Sequence, residues 1–256
     1  MPYRNLRYTE YGDLIIDNKD DPHKIVDAML ATGYSEEFCV AVDFSPEFIA
    51  GLMEAGFLVM SIKFTVPGEN PHYVLLPKLH LIRSALFFNN LHIKKSVRRY
   101  LDHYELRFDS DFELIVKRCL EIHGDAWLTQ PLVDAIKAIR EMSNTGSSNA
   151  VNKVIANDAA AYKPCKARPV SFALYRDGKL VAGEFGIRVG RVYTSYSGYY
   201  DESNAGTVQL IKTTEYLRDN GFDFFDLGMP LDYKSDLGAQ NISPEEFVKL
   251  WRKGTQ

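Results

Sequence analysis

The C-terminal third of the chain has the clearest pattern of apolar and polar positions. Three strands, a helix and a further strand are predicted there in chain order, at 170–175, 179–189, 192–197, about 207–219 and 222–227. Asp177-Gly178 is typical of the tight turn of a β-hairpin. The last strand is very apolar, which is typical of a central position in a sheet. This order of elements predicts an α+β fold with a mixed sheet flanked by helices.

Four more helices are predicted from capping residues and from apolar residues at helical spacing. Ser45-Pro46-Glu47 and Ser243-Pro244-Glu245-Glu246 each begin one, because Ser is a good N-cap and Pro suits the first helical position. Ser110 and Glu113 have the spacing of a capping box, and the helix after them places Cys119 on the apolar face. The fourth helix follows Trp127-Leu128-Thr129.

Residues 143–168 interrupt these patterns. They begin with a Ser-, Asn- and Gly-rich run and continue with an Ala-rich stretch, which predicts a long flexible insertion. We expect two domains, a small N-terminal α/β domain at 1–85 and a larger one at 86–256 that holds the mixed sheet and the insertion.

The composition is that of an ordinary globular protein. Of 256 residues, 46% are apolar and 25% are charged, which excludes a collagen-like, coiled-coil or wholly disordered chain. Three cysteines, an odd number spread far apart, imply no disulfide framework. The first residues contain no apolar signal core, and the longest apolar stretch, Phe48 to Ile62, is too short to span a bilayer. A soluble cytoplasmic protein is expected.

The net charge of −4 argues against a protein that coats polyanions, but the charges are segregated. Residues 9–48 hold ten acids and two bases, and residues 201–246 hold ten acids and three bases. Between them, residues 78–100 hold six bases and no acid. Two interpretations stay open: solvated faces whose fields cancel, or a polyanion site beside an acidic region that attracts a cationic partner.

Five short motifs, in order and at approximately the right spacing, resemble those of the leucyl/phenylalanyl-tRNA–protein transferases. The resemblance runs from about Phe38 to Trp251. The motifs are Asp43-Phe44-Ser45-Pro46, Leu91-His92-Ile93-Lys94-Lys95-Ser96, Trp127-Leu128-Thr129, Leu180-Val181-Ala182-Gly183-Glu184-Phe185-Gly186 and Ser235-Asp236-Leu237-Gly238-Ala239.

This resemblance implies a GNAT-like catalytic domain at 86–256. It implies transfer of an amino acid from aminoacyl-tRNA to the N-terminal α-amine of a protein that begins with Arg or Lys, which is N-degron tagging. No metal and no organic cofactor would be needed, and a monomer is expected. The chain also departs from the family. Tyr196 stands where the family has an acidic residue, Gly228 stands where it has the catalytic Gln, and its Trp near residue 60 is missing.

An aminoacyl ester is already activated, so the catalyst mainly positions an amine against a carbonyl. Asp226, at the end of the apolar strand, is the predicted base or orienting group, with a loop-tying role as the alternative. The hydroxyls of Tyr196 and Ser197 are predicted donors to the oxyanion.

Cations near the motif Leu91–Ser96 suit the phosphates of an acceptor stem. The predicted tRNA-binding residues are Arg83, His92, Lys94, Lys95, Arg98, Arg99 and Trp127. Trp127 and Tyr199 are candidates for stacking on the terminal adenine, although Trp127 also suits a core position. The predicted walls of an amino-acid pocket are Phe185, Tyr199, Val208 and Ile211.

Other function classes remain open. An acyl-CoA-dependent N-acyltransferase needs a Gly-rich basic turn for pyrophosphate, whereas the turn at 201–207 begins with Asp201 and Glu202 and offers only Gly206. A tRNA-dependent ligase that extends a cell-wall peptide shares the donor. A non-catalytic descendant that binds RNA or protein is the third alternative.

Overall fold

The computed structural model describes residues 6–145 and 165–256. The described strands are β1 (Arg7–Tyr8), β2 (Leu14–Ile15), β3 (Cys39–Val40), β4 (Leu58–Phe64), β5 (His72–Lys78), β6 (Arg83–Leu86), β7 (Glu105–Phe108), β8 (Ala167–Arg176), β9 (Lys179–Val189), β10 (Val192–Tyr200), β11 (Phe224–Gly228) and β12 (Gln240–Ile242). The described α-helices are α1 (Pro22–Thr32), α2 (Pro46–Glu54), α3 (Lys95–Arg98), α4 (Phe112–His123), α5 (Gln130–Thr145), α6 (Ala205–Asp219), α7 (Asp232–Asp236) and α8 (Pro244–Gly254).

A seven-stranded mixed sheet forms the centre of the molecule, in the order β12-β6-β11-β10-β9-β8-β7. Only β10 and β11 run parallel, and every other neighbouring pair is antiparallel. The connection between the two parallel strands is α6, because parallel neighbours require a crossover. The predicted order of hairpin, strand, helix and buried strand, and with it the α+β class, is confirmed.

Helices cover both faces of this sheet. Val208, Ile211 and Leu217 of α6 pack on one face. The other face carries α4, α5 and α8, together with α2 from the N-terminal part. Large apolar side chains such as Phe185 and Phe225 are fully buried between these layers, and each contributes about 1.5–3 kcal/mol to folding.

The N-terminal part adds a three-stranded sheet, β1-β2-β3, and the hairpin β4-β5. Strand β6 already lies inside the seven-stranded sheet, so the predicted boundary between residues 85 and 86 passes through a strand of that sheet. The division into two domains stays a prediction. Residues 146–164 of the predicted insertion lie outside the described residues, residues 143–145 continue α5, and β8 begins at Ala167.

Two helix starts can be compared with the capping residues predicted for them. Ser243 accepts a hydrogen bond from the Glu246 amide and caps α8, as predicted. The predicted capping box at Ser110 is wrong, because α4 begins one residue later, with Asp111 in a left-handed conformation at the cap. Cys119 is buried on the inner face of α4, as expected.

The basic segment, residues 91–99, is fastened to the chain that follows β11. The His92 amide donates to the Leu237 carbonyl at 2.9 Å, and Lys94 forms an ion pair with Asp236 at 2.5 Å. Gly238 lies directly against the Asn90 carbonyl in a left-handed conformation, with φ +102°, so close that a Cβ atom would be 1.9 Å from that oxygen. Only glycine fits this contact.

We therefore expect Gly238→Ala to lower the free energy of unfolding by about 2–4 kcal/mol, since it adds a backbone clash to left-handed strain. The matched control is Gly124→Ala. Gly124 also has a positive φ, +71°, but no atom lies within 4 Å of the added methyl group, so about 1–2 kcal/mol is expected. Urea denaturation measures both. Equal losses in the two variants would show that the Asn90 contact imposes no constraint.

Candidate functional site

The two parallel strands separate where the polar residues begin. β10 and β11 pair only from Val192 to Thr194 and from Phe224 to Asp226. Directly afterwards β10 has a bulge at Tyr196, where its register with β9 shifts. We call the opening beyond Thr194 and Asp226 the fork. Carboxyl ends of parallel strands are the usual place for ligands in sheets with crossover helices.

Asp226 is completely buried and fully hydrogen-bonded at the base of the fork. Its Oδ1 accepts from Nε of Arg83 at 2.8 Å and from the Gly228 amide at 3.0 Å. Its Oδ2 accepts from Nη2 of Arg83 at 2.6 Å and from the Thr194 hydroxyl at 2.8 Å. This bidentate pair ties β6, β10 and β11 together, so the loop-tying alternative describes its observed contacts and the role of a free base stays a prediction.

Arg83 is 1% exposed and packs its guanidinium over the Phe247 ring at 4.3 Å. It also donates to Nδ1 of His80, whose pKa is lowered to about 2 by burial and by the Arg83 charge. The prediction that Arg83 binds tRNA phosphates is therefore wrong, because its charge is buried and already paired.

Tyr196 and Ser197 lie beside the fork but contact different elements. The Val59 amide donates to the Tyr196 hydroxyl at 2.9 Å, and burial raises the pKa of that phenol. Ser197 is buried and its hydroxyl lies against the thiol of Cys119 in α4. Their roles as oxyanion donors stay predictions.

The predicted amino-acid pocket is not formed. Phe185 and Tyr199 belong to the core on the side of α4 and α5, whereas Val208 and Ile211 belong to the core beneath α6. The sheet lies between the two pairs, so they cannot line one pocket. Tyr199 is also buried, with the Arg118 guanidinium 5.2 Å from its ring centre, and is not available for base stacking.

Glu184 on β9 is a polar group of this region that sequence reasoning missed. It is 2% exposed, and one carboxylate oxygen accepts from the Ser195 hydroxyl at 2.9 Å. Burial raises the pKa of Glu184 to about 7, although Ser195, Gln209, Tyr193 and Lys234 each lower it. The available signal was a lone acid within the run Leu180–Ile187, which is otherwise made of apolar residues and glycine.

Lys234 on α7 was also missed. Its side chain is largely buried, and its Nζ donates to the carbonyls of Leu227 and Met229 at 2.6 Å and 2.8 Å. Burial lowers the pKa of Lys234 to about 8, against the opposing effect of Asp226 and Glu184. The ammonium group therefore lies at the end of β11, within the electrostatic influence of both buried carboxyl groups.

The basic segment forms an open groove of about 640 Å³. The groove is lined by Leu91, His92, Ile93, Lys94, Lys95 and Arg98. Among the described residues, Lys95, Arg98 and Arg99 are exposed and have no ion-pair partner, whereas Lys94 is paired with Asp236. Because Asp236 belongs to α7, the groove and the Lys234 side of the fork share one short helix.

Trp127 contacts the core rather than this groove. It is half-buried and packs against the core, and its carbonyl accepts the Ser61 amide at 2.9 Å. These contacts favour the core interpretation of Trp127. A role in tRNA binding stays a prediction.

The turn before α6 differs from a pyrophosphate site. Asp201 and Glu202 are paired with Arg118 and Arg176 at 2.5 Å and 3.0 Å. The Tyr200 ring covers Gly206 so closely that a Cβ atom there would be 2.8 Å from it. Within the described ranges, no cluster of His, Cys, Asp and Glu is arranged to hold a metal ion. The described helices include none that is long and apolar enough to cross a membrane.

Comparison with known proteins places the chain beside one family. The profile of the leucyl/phenylalanyl-tRNA protein transferase family matches residues 159–252. The leucyl/phenylalanyl-tRNA–protein transferase of Pseudomonas entomophila is 28% identical over 172 residues, which cover 65% of each chain. That of Campylobacter lari is 24% identical over 213 residues, 82% of this chain and 86% of the relative.

The chain is similar to these transferases at low sequence identity. The match with the Pseudomonas protein spans a little under two thirds of that protein's length.

Similar solved structures are more distant. L-PGS from Bacillus licheniformis has a TM-score of 0.38 and 11% identity, covering 97% of this chain and 88% of that one. A GCN5-related N-acetyltransferase from Kribbella flavida has a TM-score of 0.32 and 12% identity, covering 90% and 74%.

The raised pKa of Glu184 has a consequence for stability. Between pH 4.5, its ordinary pKa, and about 7, the folded protein holds a proton that the unfolded chain has lost, so stability falls as pH rises through this window. Glu184→Gln removes the titration. We expect the stability of this variant, relative to wild type, to grow by roughly 3 kcal/mol between pH 4 and pH 8.

Urea unfolding at several pH values measures this difference. Glu215→Gln on α6 is the matched control, because Glu215 is half-buried and makes the same chemical change on the surface of the same layer. Stability curves of wild type and Glu184→Gln that stay parallel across this pH range would contradict the expectation.

Proposed function

We propose that this chain is an aminoacyl-tRNA-dependent aminoacyltransferase that moves an amino acid to the N-terminal α-amine of a protein. The names of its relatives support this activity. The structural observation that supports it most directly concerns the basic groove. The groove is attached to the segment that follows β11 by the ion pair Lys94–Asp236 and by the hydrogen bond from His92 to Leu237. In this proposal, a polynucleotide bound in the groove directs its end toward the fork.

Positioning is the main requirement of this reaction. Lys95, Arg98 and Arg99 supply charge for backbone phosphates, which fixes orientation without reading sequence. The fork then receives the aminoacyl ester. Because an orientated amine and ester react without strong acid or base, holding both groups supplies a large part of the rate acceleration.

Two buried groups have roles in this proposal. Lys234 uses two of its N–H groups on the Leu227 and Met229 carbonyls, and its remaining N–H is available to the ester oxygen on which charge develops. Asp226 acts through Arg83 and Thr194 as a positioning residue that fixes the end of β11.

The acceptor end of the site is acidic and apolar. Met229, Leu231 and Tyr233 are exposed in the segment after β11, and Asp232 between them is exposed as well. An N-terminal Arg or Lys side chain combines an aliphatic stem with a charge, which suits such a surface. The monomeric state and the cytoplasmic location stay predictions.

The alternative of an acyl-CoA enzyme has less support. The N-terminus of α6 is covered by Tyr200, and the two acids in front of it are paired with arginines. Neither feature provides free donors for a pyrophosphate.

Removing two unpaired cations tests the groove. We expect Arg98→Ala combined with Arg99→Ala to weaken tRNA binding and to reduce the slope of log K against log salt by about 1.4–1.8, since each phosphate contact contributes about 0.7–0.9. The matched control is Lys117→Ala with Lys179→Ala, two exposed cations on other elements. Filter binding between 50 and 200 mM salt measures both slopes. An unchanged slope in the first variant would remove the basic segment from the tRNA site.

The activity itself is tested with a pool of radiolabelled aminoacyl-tRNAs and with peptides that begin with Arg, Lys, Asp, Glu or Ala. We expect label on the Arg and Lys peptides. Asp226→Asn should lower the transfer rate by about tenfold or more while tRNA binding is kept, and Asp223→Asn, the same change in an exposed pair, should leave the rate unchanged.

Thermal unfolding of each variant shows that the assays are made on folded protein. No transfer while the tRNA stays intact would contradict the proposal. Acetyl transfer from acetyl-CoA in the same assay would then favour the CoA enzyme, and tight tRNA binding without any transfer would favour a non-catalytic binder.

A further inference from the structure

Glu184 is a buried carboxyl group without a cation at ion-pair distance among the residues that the structure describes. Its side chain lies between β9, β10 and α6, and it accepts a hydrogen bond from the Ser195 hydroxyl at 2.9 Å. A buried carboxylate is costly unless it is paired. Such a group is retained at functional sites more often than in an ordinary core.

Two polar atoms of this cluster have no hydrogen-bond partner among the described residues. They are Oε1 of Glu184 and the Tyr193 hydroxyl oxygen, both inaccessible to solvent. Tyr193 and Glu184 shift each other's pKa through a hydrogen bond, so the two groups are neighbours, and neither atom has a partner of good geometry besides. Nearly all buried polar atoms in native proteins are satisfied, so this pair has the capacity for a further polar partner. Gln209 of α6 lies on the same side and lowers the pKa of Glu184.

Gly186 and Gly198 let the side chains of the cluster pack closely against the backbone. A Cβ atom on Gly186 would lie 2.7 Å from the Tyr193 hydroxyl, and one on Gly198 would lie 3.1 Å from Cβ of Glu184. The Tyr193 hydroxyl and the Glu184 side chain therefore lie directly against the backbone of β9 and β10.

The cluster lies at the fork. Ser195 directly follows Thr194, the last residue of β10 that pairs with β11. Tyr193 and Gln209 place the cluster on the α6 face of the sheet, whereas Asp226 and Arg83 lie on the side of α8. A substrate group that enters the fork on the α6 face therefore meets Glu184.

The chemistry of the cluster selects one kind of ligand. A carboxylate, a phenol and a hydroxyl together offer several acceptor oxygens and one negative charge. A primary ammonium group matches them, since it has three N–H donors and one positive charge.

We propose that Glu184, with Tyr193 and Ser195, binds the primary ammonium group of a substrate at the fork. The proposal rests on the proposed function, in which the aminoacyl ester and the acceptor N-terminus each carry such a group. Both sources share this chemistry, and the experiment distinguishes them.

The electrostatic surroundings agree with this assignment. Lys234 from α7 is the charged group that influences Glu184, and it favours the ionised carboxylate. Three other titratable groups act on the same site from β10, α4 and α7: Tyr193, Cys119 and Tyr233. The pKa of Glu184, about 7, lies near that of an α-amine, about 8, so the pair exchanges a proton at little cost.

Binding without transfer tests the proposal separately from the reaction. The donor probes are 3′-phenylalanylamido-adenosine, in which a stable amide replaces the ester, and its N-acetyl derivative, which lacks the ammonium group. The acceptor probes are an Arg-initiated peptide and its N-acetyl form. In the wild-type protein, the free amine of one pair should bind about 10- to 100-fold more tightly than its acetylated counterpart. The pair that shows this preference identifies the source of the ammonium group.

Glu184→Gln should abolish that preference, and Tyr193→Phe should reduce it, while Glu215→Gln should keep it. Carbon-13 NMR of labelled glutamate adds a readout that a structural role would not move. The Glu184 pKa should fall when the free-amine probe is added and stay constant with the acetylated probe. Thermal unfolding confirms that each variant is folded.

Equal binding of free and acetylated probes in both pairs, or a preference that survives in Glu184→Gln, would overturn the proposal and leave a buried water as the missing partner. Neither result depends on amino-acid transfer. A protein that shows the ammonium preference but transfers no amino acid would retain this inference and contradict the proposed function instead.

Discussion

The buried ion pair between Arg83 and Asp226 is the interaction on which the centre of the sheet depends. Arg83 comes from β6 and Asp226 from β11, and Thr194 of β10 completes the set, so three adjacent strands meet at one carboxylate. Each carboxylate oxygen has two donors, and the charges are excluded from water. A pair of this kind adds little net stability over apolar residues, but loss of one partner costs about 3–5 kcal/mol. The ion pair therefore acts mainly by fixing the geometry of the fork.

The strong features of the fold were readable from sequence because they are local. The hairpin turn at Asp177-Gly178, the apolar strand before Gly228 and the Ser243 cap each depend on a few neighbouring residues. The face of the sheet on which a residue lies depends on the whole layer arrangement, and this explains the error for Val208 and Ile211. Arg83 was misjudged for a related reason. A run of bases in the sequence does not show which of them turns inward to meet a carboxylate 143 residues away.

Glu184 and Lys234 were missed because their significance lies in what surrounds them. In the sequence, Glu184 is one acid in a largely apolar run, and Lys234 is one base in an acidic stretch. Only the packing of β9, β10 and α7 removes both from water and brings their charges into mutual influence. Burial moves the pKa of the carboxyl group up and that of the ammonium group down, so both titrate closer to neutrality than exposed groups do.

These two shifted pKa values matter when the chain is compared with the proteins that it resembles. The residues at 196 and 228 provide neither the acidic group nor the Gln that the sequence resemblance leads one to expect. The fork nevertheless contains a carboxyl group and an ammonium group, contributed by β9 and α7 instead. If a substrate ammonium group binds beside Glu184, its positive charge repels that of Lys234. The net charge of the buried region then stays the same when Lys234 releases a proton. Two groups that titrate at about 7 and about 8 permit that redistribution near neutral pH, whereas an unshifted carboxyl and an unshifted lysine would not. The geometry set by Arg83 and Asp226 and the shifted pKa values of Glu184 and Lys234 are thus separate features, one structural and one electrostatic, of the same region of the sheet.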